Sequence, residues 1–183
     1  YCPVGIVVIN EFDYDQDSTD TAEFLELKNV GTAPVNLDNF TLELVNGSGG
    51  GAVVYDTIDL PNVNLAVDDY FVICANAATV ANCDLDDGPD TNFIQNGDPD
   101  AIGLKQNGAL VDAVSYGGNT GAPYTEGSGI GLDDNPSLTA TGLSRCPDGT
   151  DTNQNNVDFV AAAITPGTAN CVVMEIAPTV VST

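Results

Sequence analysis

The chain has 183 residues, of which 43% are hydrophobic, so it is long enough for one domain with a hydrophobic core. It contains 27 acidic residues, three basic residues and no histidine, which gives a formal charge of -24. Such a surface repels phosphate backbones and anionic lipids, so the composition argues against nucleic acid and membrane partners and favours divalent cations.

Short apolar runs that alternate with polar residues predict an all-β protein, because the period of the pattern is two. We predict eight strands, at residues 6–11, 23–30, 40–45, 52–60, 70–75, 101–105, 109–116 and 158–162. In the second strand we expect Leu25 and Leu27 to face the core. Glu26 and Lys28 alternate with them and are expected to face water. The fifth strand is apolar on both faces, which predicts a central position in its sheet.

Glycine, asparagine and aspartate mark the connections between these strands. Asn107-Gly108 can supply the two positive φ angles of a type I′ turn, so we predict a hairpin there. The segments 83–99 and 117–142 are long and polar, which is typical of surface loops that carry binding. Short strands joined in this way predict an immunoglobulin-like β-sandwich with long acidic loops.

The five cysteines lack CxxC spacing, and a chain without histidine does not supply a conventional zinc finger. We predict two disulfides, Cys74–Cys83 across a short Ala/Asn-rich segment and Cys146–Cys171 between the last strand region and the C-terminal turn. Disulfides imply an oxidising compartment, so we expect a secreted or cell-surface protein. Cys2 is left as a free thiol or an intermolecular bridge. Reduced, buried cysteines without bridges are the alternative.

The acidic run between the first two strands is the first candidate for metal binding. Calcium takes about six to eight oxygen ligands from a flexible loop, and carboxylates lie here at alternating positions of a turn. The candidate ligands are Asp13, Asp15, Asp17, Asp20 and Glu23. The run does not match the EF-hand pattern, and a solvated acidic loop is the alternative.

Two further acidic clusters are weaker candidates for the same cation. One surrounds a glycine turn and consists of Asp148, Asp151, Asn153 and Asn155; the other follows a cysteine and consists of Asp84, Asp86, Asp87 and Asp90. The first has the Asp/Asn spacing of calcium loops, but turn chemistry explains it better. Adaptation of the surface to high ionic strength is an alternative explanation for all of these charges.

Catalysis is not expected from this composition. Without histidine no Ser/His or Cys/His nucleophile pair forms, and three basic residues leave little to stabilise an oxyanion or a transferred phosphoryl group. Paired carboxylates could still hydrolyse a glycosidic bond, but the chain has no tryptophan and few aromatic residues for a sugar platform. We therefore expect a protein that is not an enzyme.

Short motifs follow one another in a fixed order along the chain. They are Ile9-Asn10-Glu11, then residues 23–29 and 35–42, and later 60–61, 69–72, 100–104, 111–116, 143–145, 147–152, 158–159 and 165–170. From about residue 6 to residue 171, this series resembles the lamin-tail domain of bacterial secreted and surface proteins. The resemblance implies an immunoglobulin-like sandwich without catalytic activity, usually one module beside others. It does not imply the function of nuclear lamins, because no heptad repeat is present.

Beyond the family pattern the chain continues in an apolar, β-branched segment. We therefore predict a domain at residues 1–171 and an extension at residues 172–183. Our hypothesis is that the extension adds as a strand to a neighbouring copy, head to tail, and so builds a filament. The residues expected to take part are Cys2, Val172, Val173, Met174, Ile176, Val180 and Val181. A linker and a last strand packed on its own sandwich are the alternatives.

The sequence thus predicts a non-catalytic extracellular structural or interaction module that assembles by strand addition and is stabilised by divalent cations, with calcium as the candidate ion. Its expected partner is another copy of itself or another cell-surface protein, with no nucleic acid and no direct membrane insertion. The alternative function is an accessory binding domain of a larger secreted nuclease or hydrolase.

Overall fold

The computed structural model describes residues 6–134 and 140–171. Its strands are β1 (Val7–Asp13), β2 (Phe24–Asn29), β3 (Val35–Asn36), β4 (Phe40–Asn46), β5 (Val53–Asp59), β6 (Asn64–Leu65), β7 (Tyr70–Cys74), β8 (Leu85–Asp86), β9 (Asp100–Gln106), β10 (Ala109–Tyr116), β11 (Thr141–Arg145) and β12 (Phe159–Ala163). A 3₁₀ turn at Leu37–Asn39 precedes β4, and the short helix α1 (Asn155–Asp158) precedes β12.

Two main sheets form a β-sandwich, which confirms the predicted fold class. The larger sheet has the strand order β12-β11-β1-β2-β7-β8, and the smaller sheet has the order β10-β9-β4-β5. All pairs are antiparallel except β7 with β8. One continuous hydrophobic cluster draws on both sheets and includes Phe12, Leu25, Leu27, Leu42, Leu44, Ile102 and Leu104. The sheets therefore share one core, as alternation with period two requires.

All eight predicted strands are present, with ends that differ by one or two residues. The Asn107-Gly108 turn is confirmed, because the φ angles of these residues are +51° and +79°. The sequence prediction missed β11, which pairs with β1 and β12, and the two-residue strands β3, β6 and β8. Gly142 allows β11 to lie close to β1. A Cβ at this position would lie only 2.7 Å from the carbonyl oxygen of Phe12, so the close approach of the two strands requires glycine.

The prediction that Glu26 and Lys28 face water is wrong. Glu26 is 0% exposed and Lys28 is 8% exposed. The segments 147–149 and 165–170 cover this face of β2, since Gly167 N donates to Glu26 and Lys28 pairs with Asp148. The outer face of β2 is thus covered as well, and it buries polar side chains.

Strand β7 is covered on both faces, as predicted, but it does not lie at the centre of its sheet. Only the two-residue β8 lies beyond it. Residues 74–87 fold back over this edge, where Val80 joins Val72 in a small apolar cluster. The apolar sequence of β7 correctly indicates a buried strand. The burial results from the loop that covers it and not from a central position in the sheet.

Both predicted disulfides are present. Cys74 is bonded to Cys83 and Cys146 to Cys171, each with a Cα–Cα distance of 5.9 Å. Two such bonds indicate an oxidising environment. None of the helices in the described part of the chain is long and apolar enough to cross a membrane.

Candidate functional site

Every basic side chain of the protein is engaged in an ion pair. Lys28 contacts Asp148, Lys105 Nζ lies 2.6 Å from Glu43 Oε1, and the buried Arg145 contacts three aspartates. Since the sequence contains no other lysine or arginine, the remaining carboxylates of the described segments have no basic side chain beside them. They must be satisfied by backbone N–H groups, neutral polar side chains, protons or metal ions.

Arg145, at the end of β11, forms the most deeply buried of these ion pairs. Its Nη2 donates to both oxygens of Asp112, at 2.9 and 3.1 Å, and its Nε donates to the carbonyl of Ile9 at 2.6 Å. Asp112 also accepts from Ile9 N at 2.6 Å. The pair therefore joins β1, β10 and β11, which belong to the two different sheets. Burial nevertheless raises the pKa of Asp112 to about 6, against the lowering effect of Arg145.

Two more carboxylates meet Asp112 at this centre. One oxygen each from Asp112, Glu126 and Asp151 can be chosen so that all three lie within 4.8 Å of one another. Asp151 also contacts Arg145 Nη1 at 3.3 Å, and Asp158 contacts the same nitrogen at 3.3 Å. Three aspartates thus contact one guanidinium group, and Glu126 lies beside two of them.

Glu126 is the member of this group that forms no direct ion pair with Arg145 within the described residues. Its Oε2 is buried and has no hydrogen-bond partner within the described part of the chain. Burial raises the pKa of Glu126 to about 7, and the negative charges of Asp112 and Asp151 add to the effect. Three carboxylate oxygens meet at this site, and such oxygens are the ligand type that Ca²⁺ and Mg²⁺ prefer.

The first acidic run is placed mainly by hydrogen bonds. Asp20 accepts from Gln16 N at 2.8 Å and from Asn96 Nδ2 at 2.9 Å, and the latter nitrogen also donates to Asp15 at 3.1 Å. Glu23 is fully buried and accepts from the backbone N–H groups of residues 93 and 94. These carboxylates hold the loop that precedes β9 against β2.

Asp13 and Asp17 complete this run. Asp13 is buried and accepts from Gln16 Nε2 at 2.7 Å, while Asp17 is exposed. Burial raises the pKa of Asp13, and the neighbouring carboxyl of Asp134 raises it further. Within residues 6–134 and 140–171, the carboxylate group whose oxygens lie within 4.8 Å of one another includes none of the five candidates of this run.

The structure separates the four candidates of the second cluster. Asp151 belongs to the carboxylate group around Arg145, whereas Asp148 is the partner of Lys28. Asn153 donates its backbone N–H to Asp151 at 3.0 Å, and Asn155 bonds Ala113 and Ser115 of β10. The third cluster also has structural bonds, such as that from Val72 N to Asp84 at 2.9 Å.

Sequence reasoning did not find Asp112 or Glu126. A charge between Val111 and Ala113 in an otherwise apolar strand was a readable signal for Asp112, because such a residue must pair when buried. Glu126 carried no signal, since nothing in the loop after β10 shows that it folds back to β10. The assembly candidates Cys2, Val172, Val173, Met174, Ile176, Val180 and Val181 lie outside the described residues.

Comparison with models of known protein families identifies a match. The sequence profile of the Lamin Tail Domain matches residues 3–118, which is more than half of the chain. The match spans β1 to β10 and therefore includes Asp112, whereas Glu126 and Asp151 lie beyond it. No curated protein matches the chain significantly.

Proposed function

We propose, since the chain belongs to the lamin tail domain family, that it is a structural and interaction module of the extracellular space. The lamin tail domain is a non-catalytic, immunoglobulin-like module. The proposal rests on the ionisable side chains inside the fold, which hold separate segments of the chain together. All basic residues are paired, and buried carboxylates such as Glu11, Glu23 and Glu26 accept hydrogen bonds from the backbone. This arrangement supports a structural or binding role rather than a reaction.

The two disulfides support the extracellular placement. Cys74–Cys83 closes the segment that covers β7, and Cys146–Cys171 fixes the end of the described chain beside β11. Both bonds would be reduced in the cytosol of most organisms. A domain secured in this way suits a secreted or surface-attached protein.

We propose that a divalent cation, with calcium as the best candidate, binds among Asp112, Glu126 and Asp151. The excess of carboxylates around Arg145 and the unpartnered Oε2 of Glu126 support this site. The three side chains supply only oxygen atoms, and water can complete the coordination of Ca²⁺. The first acidic run remains the competing location for the ion.

A thermal denaturation experiment with matched variants distinguishes these two locations. Calcium at about 100 times its dissociation constant would stabilise the protein by about 2.7 kcal/mol, or on the order of 5–10 °C. We expect Glu126→Gln to abolish the shift and Asp17→Asn, an exposed change in the first run, to preserve it. The reverse pattern would place the ion in the first run. If the wild type melts at the same temperature in calcium and in EDTA, the proposed binding of calcium is refuted.

We further propose that the module assembles with copies of itself through its sheet edges. Strand β5 is a seven-residue edge of the smaller sheet, and its Val53 and Val54 are 62% and 38% exposed. An edge strand of this length offers unpaired backbone groups to another strand. The apolar extension at 172–183 of a second copy has a suitable composition for that pairing.

Light scattering after size-exclusion chromatography tests the assembly. The full chain is expected to form concentration-dependent oligomers, while a chain ending at residue 171 is expected to be a monomer. The Val54→Lys variant places a charge on the edge and should weaken assembly without removing the extension. If the full chain and the shortened chain are both monomers at high concentration, strand addition through the extension is refuted.

A further inference from the structure

Lys28 lies in a largely buried polar cluster on the outer face of the larger sheet. Its side chain is 10% exposed and that of its partner, Asp148, is 16% exposed. Gly149 has φ +71°, and a Cβ at this position would lie 3.0 Å from Lys28 Cδ, so the turn packs directly on the lysine stem. The ammonium group is therefore held against one carboxylate and shielded from most of the solvent.

The carboxylate of Asp148 has a separate donor for each of its oxygens. Asn10 Nδ2 donates to Oδ1 at 2.9 Å, and the hydroxyl of Tyr70 donates to Oδ2 at 2.7 Å. Lys28 Nζ contacts the same Oδ2 and donates to the hydroxyl of Tyr70 at 2.9 Å. The tyrosine hydroxyl thus bridges the amine nitrogen and the carboxylate oxygen, which is the position required of a proton relay.

Glu26 fixes the direction of the asparagine amide. It lies on β2 two residues before Lys28, is fully buried, and accepts from Asn10 Nδ2 at 2.7 Å through Oε1. Its Oε2 accepts from Gly167 N at 2.6 Å. Burial raises the pKa of Glu26 to about 8, against the lowering effect of the hydrogen bonds from Asn10 and Gly167. Glu26 is a positioning residue that acts through Asn10.

We propose that Lys28 and Asp148 condense into an intramolecular amide, so that a covalent cross-link joins β2 to the turn after β11. Burial opposes the charge of both groups, but their contact on balance raises the pKa of Lys28 and lowers that of Asp148, so the ammonium group first has to transfer a proton to Oδ2 against this preference. The neutral Nζ then attacks Cγ, and the developing oxyanion on Oδ1 is stabilised by the amide N–H of Asn10. Tyr70 relays a proton from the attacking nitrogen to Oδ2, the Cγ–Oδ2 bond breaks, and one water molecule leaves. The reaction is a condensation and requires no oxidant or cofactor.

The second lysine pair is a natural control within the same chain. Lys105 Nζ lies 2.6 Å from Glu43 Oε1, and Tyr124 donates to the other oxygen of Glu43 at 2.6 Å. The tyrosine therefore does not bridge the two reacting groups, and the side chain of Lys105 is 26% exposed. We expect this pair to remain an ordinary ion pair.

Mass spectrometry of the full chain, reduced and denatured after folding, tests the cross-link. We expect the wild type to be lighter than its sequence by one water molecule and to yield a linked peptide pair that contains Lys28 and Asp148. The Lys28→Arg variant keeps the charge but its guanidinium does not attack, so it should show the full mass. Lys105→Arg should lose water like the wild type. A full mass in the folded wild type would overturn the proposal.

A cyclic imide at Asp148-Gly149 would also release one water molecule, and the variants separate it from the cross-link. The imide does not involve Lys28, so water loss that persists in Lys28→Arg would overturn the proposal. Tyr70→Phe tests the proton relay. In this variant the cross-link should form, with loss of water, about 100-fold more slowly than in the wild type. An unchanged rate in this variant would refute the role of Tyr70.

Discussion

The substitution Glu126→Gln should stabilise the protein in the absence of divalent cations. Its carboxylate lies beside Asp112 and Asp151, and its Oε2 is buried without a donor. Glutamine has nearly the same shape, removes one negative charge and offers an N–H group to the two aspartates. The variant therefore replaces a repulsive contact with an attractive one.

The size of this effect follows from the pKa of Glu126. Its rise from 4.5 to about 7 corresponds to about 3 kcal/mol, at 1.36 kcal/mol for each pKa unit. The side chain is partly accessible to solvent, and screening reduces the value to about 1–2 kcal/mol. For a chain of this length that is a rise of about 2–8 °C in melting temperature.

The sign of the pH dependence is fixed by the direction of the pKa change. The folded state keeps a proton on Glu126 that the unfolded chain releases, so the wild type loses stability as pH rises from about 4.5 through about 7. Glutamine does not titrate. The advantage of Glu126→Gln should therefore be largest near pH 8 and vanish near pH 4.

Urea denaturation in EDTA at pH 4 and pH 8, followed by the same measurement in calcium at pH 8, checks the prediction. Calcium should stabilise the wild type and remove the advantage of the variant, because the ion needs the carboxylate. A variant that is less stable than the wild type in EDTA at pH 8 would refute the charge argument.

Three further predictions concern the fold itself. In EDTA the free energy of unfolding should fall between pH 5 and pH 9, because burial raises the pKa of both Glu23 and Glu26 to about 8; a flat profile in chemical denaturation would contradict this. Arg145→Met should cost about 3–5 kcal/mol in the same assay, because it leaves buried carboxylates without their cation, and a loss below about 1 kcal/mol would refute that role. Gly142→Ala should cost about 1–3 kcal/mol through a clash with a carbonyl of β1, whereas the control Gly51→Ala, which meets no atom within 4 Å, should be nearly neutral. Equal melting temperatures of the two alanine variants would refute the requirement for glycine in β11.

The period-two pattern was sufficient to predict the strands, because the alternation along each strand shows which of its side chains face the core. Leu25 and Leu27 point into the shared core, as their alternation predicted. The same alternation gave the wrong environment for Glu26 and Lys28. Whether the outer face of a sheet is exposed to solvent depends on which segments pack on it. Here those segments lie more than 100 residues further along the chain. No local pattern contains that information.

The candidate metal site was predictable only in part for the same reason. Asp151 was identified because aspartates cluster visibly in its turn, and the structure places it within the carboxylate group. Asp112 and Glu126 reach that group through the pairing of β10 and the return of a long loop. The disulfide partners were easier to predict, because four of the five cysteines fall into two groups near the ends of strands.

A chain with so few basic residues has to secure its loops by other means, and the structure shows how it does so. Glu23 fastens the loop before β9, and Glu11 fastens the segment that begins at Thr165, each by accepting backbone N–H groups. Asp100 holds Gly47 in the same way. Burial raises the pKa of all three carboxyls, so each attachment costs more as the pH rises. Such a protein becomes more stable when protons or cations are supplied from outside, and this dependence links its acidic composition to its proposed need for a divalent ion.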